Sequence, residues 1–194
     1  MNFKSFLAFI IIFISVQIGI AQDYKNEIKT EFLEYLNSLL DKDFENSVEY
    51  ILPEFFSIVP KDQMIRIMDQ TFNNPEMIIE LKNPKVLKIG NAQKIESKYY
   101  VILSYSNNMN MRFLELDIND SDEIEMMTHT MVQTFGSENV KYIDETGFYE
   151  IYSVKQVCAI SKDGSSDWKF LVLEKSQKEI LKRVLPSSII NEIL

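Results

Sequence analysis

At Asn73-Asn74-Pro75 the apolar residues stop recurring at helical spacing and begin to alternate, and this switch limits the kind of domain the chain can build. Before it, Ile28, Phe32, Tyr35, Leu36, Leu39 and Leu40 recur three and four apart across 23–41, with Lys and Glu on the opposite face, which predicts an amphipathic helix. Asp43 is placed to cap a short second helix carrying Phe44, Val48, Ile51 and Leu52; Pro53 interrupts it and leaves a turn over 54–59. Pro60 opens a third helix, where a missing N–H costs nothing, with Met64, Met68 and Phe72 four apart and Ile65 beside them.

After the switch, Met77, Ile79 and Leu81 alternate with Glu76, Glu80 and Lys82, which predicts a strand with one wet face. A second strand is expected over 85–89. Residues 97–105 are apolar at both phases, as in a central strand covered on both sides. Met109, Met111 and Phe113 give way to Leu114, Leu116 and Ile118 in the opposite phase, which predicts a bulge or bend near Phe113. A helix returns over 120–136: Asp120 and Glu123 resemble a capping box, Ile124, Met127, Met131 and Phe135 form a stripe, and Gly136 is the stop. Strands follow at about 139–144, 148–161 and 168–174, the last two joined by the turn Lys162-Asp163-Gly164-Ser165-Ser166-Asp167. A final amphipathic segment covers 177–194. The expected fold is α+β: three N-terminal helices packed on a curved, mostly antiparallel sheet, all helices on one face, with an inserted helix before the last strands and a C-terminal helix.

The first 21 residues read as an export signal. Lys4 supplies the positive start, Phe6 to Ile20 are almost uncharged, and Gly19-Ile20-Ala21 puts small residues where signal peptidase needs them, so cleavage is expected between Ala21 and Gln22. The apolar run is short for a membrane span, Ser15 and Gln17 interrupt it, and no basic cluster follows, so no stable membrane anchor is expected. Lipidation would need a cysteine after the cleavage point, and the one cysteine is Cys158. The product is then a single domain, 22–194, secreted or periplasmic.

Cleavage would remove one base, Lys4, and no acid, leaving 19 bases against 29 acids, a net charge of −10. Such a surface is repelled by nucleic-acid phosphates and by anionic lipid, so neither is an expected partner. One cysteine makes no internal disulfide, so the core has to carry stability; 46% hydrophobic residues suffice for one well-buried domain.

The stretch YILPEFFSIVPKDQMIRIMDQTFNNPEMIIEL (50–81), the helix-and-strand run TFGSENVKYIDETGFYEI (134–151) and the tryptophan-led strand DWKFLVLE (167–174) resemble uncharacterised secreted proteins of Gram-negative Bacteroidota. Three helices running into a strand meander are similar to the cone-shaped fold of the nuclear-transport-factor-two-like superfamily. That resemblance implies a cone-shaped α+β domain outside the cytoplasm. The superfamily holds binding and dimerisation modules as well as isomerase- and cyclase-like enzymes, which need a carboxylate base and an oxyanion-stabilising Tyr inside an apolar cone. It brings no catalytic residue to this chain.

The residues themselves offer four candidates for chemistry. His129, the only histidine, is expected on the polar face of its helix beside Glu125 and Gln133, a surface position without the partners a triad or zinc site needs. Cys158 sits between Val157 and Ala159 and reads as a small buried hydrophobe. The acidic run 117–125 places Asp117, Asn119 and Ser121 at alternate positions, but its sixth residue is Asp122 and its twelfth Thr128, so a helix cap explains it better than a calcium loop. Tyr50, Phe55, Phe56, Tyr99, Tyr100, Tyr105, Phe148, Tyr149, Tyr152, Trp168 and Phe170 could line a pocket, and core packing with phenols at the rim is the plainer reading.

No metal and no cofactor is implied. The first reading of function is a non-catalytic module binding a small apolar ligand or a partner protein. The alternatives are a small isomerase- or cyclase-like enzyme using a buried carboxylate and Tyr, and an envelope protein forming a homodimer through its sheet face.

Overall fold

The structure, a computed structural model, describes residues 23–193, so the expected cleavage point at Ala21 and Gln22 lies outside the described residues. Helix α1 occupies 23–40. The Asp43 carboxylate accepts the Asn46 N–H and starts α2, Phe44–Ser47, which tightens into a 3-10 turn, Val48–Tyr50. Residues 54–59, expected as a turn, begin inside a second 3-10 turn, Pro53–Ser57. Helix α3, Lys61–Phe72, follows Pro60.

The remaining elements are β1 (Met77–Ile89), β2 (Gln93–Ile95), β3 (Lys98–Phe113), α4 (Ser121–Phe135), β4 (Val140–Ile143), β5 (Phe148–Ser161), β6 (Lys169–Leu173), α5 (Lys178–Leu181) and α6 (Ser187–Ile193). The six strands form one open sheet of order β1-β3-β5-β4, with β2 on β3 beyond β1 and β6 on β5 beyond β4. Every ladder is antiparallel. The fold class is therefore α+β.

Three local expectations change. The strands expected at 77–82 and 85–89 are one strand whose register with β3 shifts between Lys82 and Lys85, where Asn83 takes φ +52 and Pro84 has no N–H to offer a ladder. The residues after Phe113 do not continue as strand in the opposite phase. The Leu114 N–H donates to the Glu76 carbonyl as a last rung, and the Asp117 carboxylate then accepts the Asn119 N–H in a local turn leading to α4. The C-terminal segment is split into α5 and α6 ahead of Pro186, which cannot continue a helix.

Helices also cover both faces of the sheet rather than one. The β3–β5 ladder runs without a break from Tyr99 opposite Ser161 to Met111 opposite Tyr149, so side chains alternate strictly between its faces. On the face of the odd-numbered β3 residues, Phe32 of α1 meets Tyr105 and Phe170 edge-on, each at 5.0 Å between ring centroids. Further along that face, α4 lays Met131 over Tyr149 and Ile151, forming a second, smaller core. On the opposite face, Tyr100, Ile160, Cys158 and Leu171 are buried with Leu181, Leu185, Ile189 and Ile190 of the C-terminal helices. Gln93, which stands opposite Tyr100, donates to Glu192 at 2.7 Å and ties α6 to that face. This two-sided cover is why 97–105 is apolar at both phases, whereas Ser104, Ser106, Asn108 and Asn110 continue into a part of the same face that is polar.

Phe32 and Trp168 are fully buried, and burying a side chain of that size contributes on the order of 1.5–3 kcal/mol. Among the described residues, no helix is long and apolar enough to cross a membrane.

Candidate functional site

Among the described residues the wholly buried polar ones are Ser38, Ser47, Ser106 and Ser161, and of the charged side chains the Arg112 Nε is enclosed without a hydrogen-bond partner. The space between α1 and the sheet is filled by Phe32, Tyr35, Tyr105 and Phe170, Tyr35 lying 6.1 Å from Phe170 in a stacked arrangement. Burial raises the Tyr35 phenol far above its ordinary pKa, and burial first, then the Glu174 charge, push Tyr105 up to about 12. Glu31, half-buried, accepts the Trp168 N–H at 2.7 Å; burial raises its pKa, outweighing the Trp168 bond. Glu34 meets Tyr50 at 3.3 Å on the surface. Among the described residues, no carboxylate is buried beside the Tyr35 and Tyr105 phenols.

The sequence candidates are scattered. His129 is exposed, its Nε2 2.7 Å from the Gln133 amide. Cys158 is fully buried opposite Ile102 and Leu171, and burial, with the Glu192 charge behind it, pushes its thiol pKa up, so it is held as the unreactive thiol. Asp120 accepts the N–H groups of Asp122 and Glu123, as a cap does, while Glu123 reaches back to the Asp117 N–H rather than to Asp120. No group of three or more His, Cys, Asp or Glu that could hold a metal ion occurs among the described residues. Of the aromatic residues, Phe55, Tyr100, Tyr105, Tyr149, Trp168 and Phe170 are core, and the Tyr99 ring packs where a Cβ on Gly164 would stand, at 2.7 Å. Tyr152 is the one left open, 46% exposed on the polar part of the sheet.

What the structure assembles instead lies on the surface. Where β3 ends, Phe113 and Leu116 face Met126 and Met127 of α4 across a groove of about 460 Å³, with Glu76, Glu115 and Glu123 around it. Met127 packs toward the small core, whereas Met126 is 68% exposed at the mouth. Leu114 and Ile118, both exposed, belong to the same turn. The groove thus has an apolar lining of adaptable thioethers and a phenyl ring among three carboxylates. A second groove, of about 600 Å³, runs beside β1 under Leu39, Leu40 and Phe72. A third, about 390 Å³, is polar and includes Asn108, Asn110, Glu150 and Tyr152.

The first groove escapes sequence reading because Glu76, Phe113 and Met127 come from three elements. One signal was present: Met126 falls out of phase with the Met127/Met131 stripe, a large apolar side chain on the wet side of a helix.

No family model, curated protein or solved structure matches this chain.

Proposed function

We propose that this protein is an exported, non-catalytic binding module that docks a partner protein through the groove between α4 and the ends of β1 and β3. The observation that carries this reading is the pairing of an apolar lining, Phe113, Leu116, Met126 and Met127, with three carboxylates, Glu76, Glu115 and Glu123. Open apolar surface ringed by charge is the character of protein-docking sites. The carboxylates select a partner segment carrying Lys or Arg beside its apolar anchors, and the net negative charge of the chain adds long-range attraction. A small apolar ligand, the other form of this reading, gains affinity only when walls cover most of its surface, and this groove lies open at the surface. Export rests on the composition of residues 1–21, and the element order of three helices before a strand meander supports the likeness to the nuclear-transport-factor-two-like superfamily.

The test is fluorescence anisotropy with a labelled amphipathic peptide of leucine and lysine. Binding that weakens as salt is raised, and that falls by about tenfold in Glu115→Lys or Glu123→Lys, supports the reading. Equal binding by these variants contradicts it.

A further inference from the structure

The outer edge of β1 is only half protected. From Lys82 onward it carries the register shift, Asn83 at φ +52, Pro84, and the charges of Lys82, Lys85 and Lys88, all devices that keep a foreign strand from pairing. The stretch 77–82 has none of these before Lys82 and keeps a regular register with β3.

The hydrogen-bond phase of this stretch follows from one contact. The Leu114 N–H donates to the Glu76 carbonyl at 2.9 Å, so Glu76 and Leu114 are a bonded pair. In an antiparallel ladder bonded and non-bonded pairs alternate, so Ile78, Glu80 and Lys82 bond to β3, and Met77, Ile79 and Leu81 turn their N–H and C=O outward. Met77 N–H finds the Asn74 carbonyl at 3.4 Å. Among the described residues nothing meets the outward groups of Ile79 or Leu81. The Met77, Ile79 and Leu81 side chains belong to neither buried core; they line the groove under Leu39, Leu40 and Phe72.

We propose that this edge is a strand-addition site: an extended segment of a partner protein, apolar at alternate positions, pairs with Ile79 and Leu81 and sets its apolar side chains against Leu39, Leu40 and Phe72. Two donors and two acceptors give the main-chain pairing, and the groove gives the side-chain selection. A bare segment fits better than a second copy of this chain. Two copies paired antiparallel, across a two-fold axis normal to the sheet, would each bring Leu39, Leu40 and Phe72 over the same side of the junction. The site is separate from the groove on α4 and shares with that reading only that the partner is a protein; Glu76, which borders the α4 groove, directly precedes this edge.

The test is amide hydrogen exchange of Ile78 to Lys82 in the protein with and without blocked octapeptides in which leucine or valine alternates with threonine or lysine. Without peptide, Ile79 and Leu81 should exchange fast and Glu80 and Lys82 slowly. With a saturating peptide Ile79 and Leu81 should slow by about tenfold or more while Glu80 and Lys82 stay as they were. Ile79→Pro removes an outward N–H that β3 does not use, so it should keep the native melting temperature and abolish the protection. Should that variant fail to fold, peptides methylated on the backbone nitrogens facing β1 must bind no longer. Unchanged exchange across the panel at millimolar peptide overturns the proposal, as does full binding by the methylated peptides. Protection of Ile79 and Leu81 that grows with protein concentration alone overturns it in favour of a second copy. None of these results depends on Glu115 or Glu123, so either site can fail without the other.

Discussion

Met126 and Met127 are neighbours in the chain, yet Met127 packs beside Met131, Tyr149 and Ile151 while Met126 stands 68% exposed at the mouth of the groove they share. One thioether belongs to the fold and the other to the surface, which separates stability from docking. Met126→Ala should change unfolding free energy by no more than about 0.5 kcal/mol, as for an ordinary surface site. Met131→Ala, at a buried position, should cost about 2–5 kcal/mol. Urea unfolding followed by circular dichroism measures both, and a large loss from Met126→Ala would put that side chain in the core.

Asp120 binds two backbone N–H groups at the start of α4, so the acidic run 117–125 acts as a cap. Asp120→Ala should destabilise by about 1 kcal/mol. Adding millimolar calcium should leave the melting temperature of the native protein unmoved, since a ligand bound only by the folded state would raise it. A calcium-dependent rise would show a metal loop where the cap is described.

Tyr35 and Tyr105 are the groups through which alkali should unfold the protein. Their folded pKa values are raised, Tyr105 to about 12, against about 10 in an unfolded chain. The neutral forms therefore contribute stability that is whole below pH 10 and is lost as pH rises from 10 through 12, at up to about 1.4 kcal/mol per pH unit for each phenol. Absorbance at alkaline pH should show the Tyr35 and Tyr105 phenols ionising late and together with unfolding. Ionisation of Tyr35 and Tyr105 near pH 10 with the fold intact would contradict the aromatic core.

Cys158 should be silent to a thiol reagent at neutral pH in the native state and react fully in denaturant, because it is fully buried and its thiol pKa is raised. Fast native labelling would mean that α5 and α6 open readily from the sheet.

The fold was legible where spacing was long and consistent. Residues 148–161, expected as one strand, are strand β5 from end to end, and the Asp120-to-Gly136 frame bounds α4 to within a residue. It was misread where a single contact decides the chain's course: the Glu76–Leu114 rung ends β3 although Leu114, Leu116 and Ile118 alternate like a strand. The cover of both faces was visible in 97–105 as apolar residues at both phases, but which helices supply it was not, since nothing in 177–194 states which face it will meet. The docking groove was least legible of all. Apolar periodicity reports what a residue turns toward its own core, whereas Glu76, Phe113 and Met126 become neighbours only through the β1–β3 ladder and the turn after it.

The docking claim is tested most directly by methyl NMR of the methionines during titration with the leucine–lysine peptide. The account predicts that the Met126 and Met127 methyl signals move first and furthest, that Met64 and Met68 stay fixed, and that Glu123→Lys suppresses the shifts. Shifts at other methionines with Met126 and Met127 unmoved at saturation would contradict it.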